Sequence, residues 1–160
     1  MELDSTEMGM DLILWRHADA EDSMPDIDRK LTAKGEKQAQ QMAQWLKARL
    51  PAKFRLIASP AKRTQQTAQA LSKNFETDKT ISPGADAISV LVAAGWPGAK
   101  GTVVIVGHQP TLARVAAFLL AGEEADWSMK KGSIWWLSNR TRQDEEQTIL
   151  RVMMSPEFAS

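Results

Sequence analysis

Thr102-Val103-Val104-Ile105-Val106 runs directly into Gly107-His108-Gln109-Pro110. The run has the length of a strand. Being continuously β-branched rather than alternating with polar residues, it reads as a central parallel strand covered on both faces. Working outward, Leu12-Ile13-Leu14-Trp15 has the same character and stops abruptly at Arg16-His17-Ala18-Asp19. Phe54 to Ala58 is a further strand, ending at Ser59-Pro60.

Between these runs the spacing changes to that of helices. Thr32 caps a helix from Ala33 to about Leu50, with Ala39, Met42, Trp45, Leu46 and Leu50 on one face and Pro51 closing it. A second helix spans about Ala61 to Phe75. Asp86 caps a third from Ala87 to about Ala94, and a fourth follows Pro110 to about Ala121. Ser133 to Leu137 and Thr148 to Met153 are strand candidates flanking a charged turn at Arg140 to Glu146. Strands alternating with helices predict an α/β fold, a three-layer α/β/α domain with a mostly parallel central sheet. Residues 10–160 are expected to form that one domain. Met1 to Gly9, carrying Glu2, Asp4 and Glu7, reads as a short acidic tail.

The bulk properties narrow the function. The chain has 160 residues, 43% hydrophobic and 25% charged, the profile of an ordinary globular domain. Lys plus Arg equal Asp plus Glu at 20 each, which argues against nucleic-acid binding through a broad basic face. No cysteine is present, so thiol catalysis, disulfides and cysteine-based zinc sites are excluded. The start of the chain lacks the basic, then apolar, pattern of a secretory signal. The longest apolar run, Val115 to Ala121, is far short of the roughly 20 residues that span a bilayer. A cytoplasmic protein that binds neither membrane nor nucleic acid is the expectation.

Chemistry concentrates at strand ends. Both histidines of the chain, His17 and His108, follow a strand directly, and Arg63 lies in the first turn of the helix after the strand ending at Ala58. Ligands of an open parallel sheet bind outside the carboxyl ends of its strands. Arg16, His17, Arg63 and His108 therefore converge if their strands are neighbours. Such a set describes a phosphoryl-transfer pocket. A neutral imidazole attacks phosphorus, two guanidiniums hold the non-bridging oxygens bidentately, and a second imidazole, if protonated, adds charge-assisted donation. Asp19, two residues beyond His17, is the first candidate for a proton donor, a role that requires a raised pKa. The two histidines are distant in sequence and no carboxylate cluster accompanies them, so neither a metal nor another cofactor is expected.

The motifs resemble those of the histidine phosphatase superfamily. Arg16-His17-Ala18 is similar to its arginine-histidine-glycine signature, with alanine in place of glycine. Leu31-Thr32-Ala33-Lys34-Gly35 resembles its leucine-threonine-x-x-glycine helix start. Ser59-Pro60-Ala61-Lys62-Arg63, with Gln66-Thr67 downstream, resembles its serine-proline-x-x-arginine segment. Gly107-His108-Gln109-Pro110 resembles its second histidine motif. The order and shortness of the chain, with Pro83-Gly84-Ala85-Asp86 and Met154-Ser155-Pro156, look most like the SixA-type phosphohistidine phosphatase branch. This resemblance implies a phosphoglycerate mutase-like fold, His17 as nucleophile, and Arg16, Arg63 and His108 as the substrate's phosphate pocket. It also implies a phosphorylated protein bearing phosphohistidine as substrate. A small phosphorylated metabolite, or a non-catalytic phosphate-binding or phosphoprotein-binding module, are the alternatives.

Other residues have plainer readings. Ser59 and Asp86 are helix caps. Trp135 and Trp136 face opposite sides of a strand, one in the core and the other at an edge or interface.

Overall fold

In the computed structural model, which describes residues 6–159, the chain alternates β1 (Thr6–Arg16), α1 (Ala33–Lys47), β2 (Arg55–Ala58), α2 (Lys62–Leu71), β3 (Glu76–Thr77), α3 (Ala87–Ala94), β4 (Gly101–Gly107) and α4 (Thr111–Ala121). It closes with the strand pair β5 (Ile134–Arg142) and β6 (Glu145–Met154). One six-stranded sheet has the order β3-β2-β4-β1-β5-β6. The strands β3, β2, β4 and β1 run parallel, and β5 and β6 form an antiparallel edge beside β1. This is the expected α/β architecture with a mixed rather than uniformly parallel sheet.

The continuous apolar runs are explained by burial on both faces. From β1, Leu12 and Leu14 join Val103 and Ile105 of β4 in one core layer, covered by α3 and α4 through Val90, Leu112 and Val115. Ile13 and Trp15 join Val104 and Val106 in the opposite layer, covered by α1 and α2 through Met42, Leu46, Ala68 and Leu71. Trp135 and Trp136 do point to opposite faces, yet both are buried. The expectation that one lies exposed is corrected, because Trp45 of α1 covers Trp136 and Trp127, in the segment after α4, covers Trp135. No helix among the described residues is long and apolar enough to cross a membrane.

Several boundaries differ from the sequence expectation. Strand β1 begins at Thr6, so Thr6 to Gly9 are not tail. Thr6, Glu7 and Met8 pair with Arg142, Thr141 and Arg140, which the long β5–β6 hairpin extends toward them. Residues 1–5 of that expected tail lie outside the described residues. The expected turn at Arg140 to Glu146 is mostly strand. It narrows to Gln143 and Asp144, both at positive φ (52° and 64°), as a two-residue primed hairpin turn requires. Helix α1 ends at Lys47 rather than Leu50, since Leu50 precedes Pro51 and such residues avoid helical ψ. Helix α2 stops at Leu71, not Phe75. Ser72 is extended there and its Oγ accepts from the Asn74 amide at 3.0 Å, which competes with another helical turn.

The start of α1 is packed against the segment after β1. Thr32 Oγ1 accepts from the Gly35 amide at 3.0 Å, the expected cap. At Gly35 a Cβ would overlap the Asp19 carbonyl, so only glycine lets this helix approach. Gly35→Ala is expected to destabilise the fold by about 1–3 kcal/mol through this overlap, read as a lowered urea midpoint with an unchanged slope.

Candidate active site

The strand order makes β2, β4 and β1 neighbours. Arg16 lies opposite Gly107, and Ala58 lies opposite Val106, so all three strands end level. The ladder continues one step further through His17 N–H to Gly107 O (3.1 Å) and Ser59 N–H to Val106 O (3.2 Å). The convergence that the sequence required is present: His17 and His108 have ring centroids 5.4 Å apart. Both rings and Arg63 are buried.

The imidazole of His17 is held through one ring nitrogen and left free at the other. Its Nδ1–H donates to the Ala18 carbonyl at 2.7 Å, which fixes the tautomer and leaves the Nε2 lone pair free of any protein hydrogen bond among the described residues. Burial, reinforced by the charges of Arg63, Arg16 and Arg29 and opposed by the Ala18 hydrogen bond, lowers its pKa from 6.5 to about 4. The ring is therefore neutral near pH 7. Ala18 fits where the resemblance has glycine. Its methyl is buried beside Ala20, Leu31 and Ala39, its φ is not in the left-handed region, and its amide donates to Thr67 Oγ1 at 3.1 Å.

Three buried side-chain nitrogens have no partner among the described residues: Arg16 Nε, Arg63 Nε and His108 Nδ1. Buried polar groups are nearly always satisfied, so unpaired donors clustered on three neighbouring residues mark a place for an acceptor-rich ligand. Arg16 Nη1 donates to Met129 O at 2.7 Å, while Arg63 Nη1 and Nη2 donate to Asp26 O (2.9 Å) and Asp26 Oδ2 (3.2 Å). Among the described residues Arg63 thus keeps only Nε unpaired, whereas Arg16 keeps Nε and Nη2, one edge of its guanidinium fork. Burial and the Arg63 charge lower the pKa of Arg16, and an anion between the two cations relieves both effects.

Ser59 is not the cap that the sequence suggested: the N-cap of α2 is Ala61, whose amide donates to Ser59 Oγ at 3.2 Å. Ser59 Oγ also lies 2.7 Å from His108 Nε2. With the hydroxyl donating to Nε2, the ring proton sits on Nδ1, the atom left unpaired. The sequence left the charge of His108 open. Burial first, then His17 and the arginines, with Asp26 opposing, lower its pKa to about 3, so the ring is neutral near pH 7.

Asp19 is not poised as a proton donor, and that expectation is corrected too. Thr32 Oγ1 donates to its Oδ2 at 2.7 Å and Lys131 Nζ lies 3.1 Å from its Oδ1. The Thr32 hydrogen bond, with Lys131, holds the carboxyl below its ordinary pKa against a raising contribution from burial. Its role is to tie the start of α1 to the loop after His17. Asp26, Thr67 and the Met129 carbonyl were not singled out from sequence. Thr67 lay within a recognised motif, whereas Asp26 and Met129 carry no local signal and are found only by tertiary contact. Beside Arg16, a cleft of about 490 Å³ opens between the start of α1 and the Lys130–Lys131 turn.

Comparison with known proteins agrees with this geometry. A family model for the histidine phosphatase superfamily (branch 1) matches residues 12–96, just over half of the chain. A phosphohistidine phosphatase SixA from Escherichia coli (strain K12) is 28% identical over 123 residues, covering 71% of this chain and 76% of that protein. Among solved structures, one assigned as a phosphohistidine phosphatase SixA from Nakamurella multipartitia superposes with a TM-score of 0.75 at 26% identity, over 92% of this chain and 96% of that one. The protein histidine phosphatase SixA complexed with tungstate shares the fold, with a TM-score of 0.73 at 24% identity over 92% of this chain and 97% of that one.

Two outcomes are expected. Arg63→Ala should weaken inorganic phosphate binding by about tenfold or more, since a charge-assisted hydrogen bond is lost; calorimetric titration reads this. The second concerns pH. Unfolded histidines take up a proton below about 6.5, whereas folded His17 and His108 do so only near 4 and 3. Unfolding therefore takes up protons in this window, and stability falls as the pH drops from about 6.5 toward 4. His108→Asn should flatten that slope in urea denaturation curves measured across the same range.

Proposed function

The chain belongs to the histidine phosphatase superfamily, and from that premise we propose that it hydrolyses phosphohistidine on a protein through a covalent phosphoryl intermediate on His17. The observation that carries this reading is the trio of unpaired buried donors, Arg16 Nε, Arg63 Nε and His108 Nδ1, around an imidazole whose Nε2 is free. In the first step His17 Nε2 attacks phosphorus and the bond from phosphorus to the substrate nitrogen breaks. A substrate ring protonated at its other nitrogen departs as neutral imidazole. The phosphorylated His17 ring is cationic, and its Nδ1–H bond to the Ala18 carbonyl stabilises that charge.

The arginine edges and His108 favour the charge on the equatorial oxygens as the phosphoryl group transfers. Water then attacks phosphorus, inorganic phosphate leaves, and neutral His17 is regenerated. Two further points support phosphohistidine over an ordinary ester. Asp19 is tied up by Thr32 and Lys131 and so offers no ready proton for an alkoxide, which a nitrogen leaving group does not need. The similar protein from Escherichia coli is itself a phosphohistidine phosphatase.

The experiment compares phosphate release from a phosphohistidine-bearing protein and from para-nitrophenyl phosphate by the wild-type chain and His17→Ala. Release from the phosphoprotein should be faster and should fall by about a thousandfold or more in the variant, as expected when a nucleophile is removed. Preference for the aryl ester would assign the pocket to a small phosphorylated metabolite. Equal inertness of wild type and variant on both substrates would leave a binding module.

A further inference from the structure

Asp26 stands where a carboxylate can act on the intermediate. It begins the single 3-10 turn Asp26–Asp28, and its side chain is 54% exposed while that of Arg63, which it contacts, is 5% exposed. The residue thus spans from the buried pocket to solvent. Its two carboxylate oxygens each hold one long ion-pair contact, Oδ1 to Arg29 Nη1 and Oδ2 to Arg63 Nη2, both 3.2 Å, so lone pairs remain for a water. Its backbone carbonyl anchors Arg63 Nη1 independently of the side chain. Its charge also reaches the His108 ring, where it opposes the arginines. Asp19, the other carboxylate near the nucleophile, is occupied by Thr32 and Lys131.

We propose that Asp26 is the general base of the hydrolytic half-reaction, taking the proton of the water that attacks phosphorylated His17. The inference rests on the reading of His17 as the nucleophile. In that step the water oxygen bonds to phosphorus and one water proton passes to the Asp26 carboxylate. The phosphorus–Nε2 bond breaks with its electrons returning to His17. The products are hydrogen phosphate, neutral His17 with its Nδ1 proton, and protonated Asp26, which releases its proton to solvent. Arg29 and Arg63 keep the carboxylate ionised beforehand, despite the opposing contribution of its burial. An ionised carboxylate suits a base and does not suit an initial acid, consistent with a leaving group that needs none.

The test uses phosphoramidate as donor and follows acid-labile phosphate on the intact chain by rapid quench, in the wild type, Asp26→Asn, Asp26→Glu and His17→Ala. Asp26→Asn keeps the backbone contact to Arg63 and an oxygen that can accept from it. Because Asn lacks the charge that also holds Arg63, loading of His17 should slow, but by less than the decay that follows. Decay of the phosphoenzyme should slow by about tenfold or more, the low end of what a lost general base removes, so that the intermediate accumulates. Asp26→Glu should restore part of the decay rate. Equal slowing of loading and decay would reduce Asp26 to a positioning residue for Arg63, and unchanged decay would remove it from the reaction; either result overturns the proposal. If the wild type itself acquires no acid-labile phosphate that His17→Ala abolishes, the nucleophile reading fails first and this one with it.

Discussion

Two imidazoles, the buried guanidinium of Arg63 and the partly buried one of Arg16 meet at one end of the sheet, and the rest of the structure is arranged to hold them there. Cations in a low-dielectric setting repel each other and prefer water, a tendency expressed in the lowered pKa values of Arg16, His17 and His108. The protein opposes it with fixed hydrogen-bond partners. The Met129 carbonyl holds Arg16, Asp26 holds Arg63 and the Ala18 carbonyl holds His17, while the Ser59 hydroxyl donates to His108. Ala18 and Asp26 lie in the loop after β1, Ser59 before α2 and Met129 before β5. Forming the site therefore requires the sheet, α2, the loop after β1 and the turn before β5 together.

That arrangement leaves three buried donors unpaired, Arg16 Nε, Arg63 Nε and His108 Nδ1. A dianion placed among them satisfies the donors and offsets the repulsion between the arginines in one event. Burial first, reinforced by the arginine charges, keeps His17 neutral before the ligand arrives, as the proposed nucleophile must be. In the proposed reaction the phosphorylated ring is cationic, and the dianion it carries compensates that charge. On that reading anion binding and nucleophilicity have a common electrostatic origin.

The two aspartates near His17 illustrate how packing divides similar groups between structure and chemistry. Asp19 is drawn into the cap of α1 by Thr32 and tied to Lys131, where Gly35 allows the helix to close on its carbonyl. Asp26, seven residues later, bridges Arg29 and Arg63 at the mouth of the pocket. Both carboxyls are held below their ordinary pKa by hydrogen bonds to side chains, but only Asp26 has its charge registered at His108. Asp19 lines the cleft beside Arg16, whereas Asp26 meets the site through Arg63.

By itself the sequence determined the layered α/β class, the strands at Leu12 to Trp15 and Thr102 to Val106, and the convergence of Arg16, His17, Arg63 and His108. These are legible because periodicity, caps and the residue that follows a strand are properties of neighbours along the chain. Tertiary structure alone decided the pairing of Thr6 to Met8 with the extended hairpin, the burial of both Trp135 and Trp136, and the neutrality of His108. It also decided that Asp26 pairs with Arg63 while Asp19 lines the cleft beside Arg16. Each of these depends on which distant groups share a hydrogen bond or a low-dielectric environment, and only folding brings such groups within reach of one another.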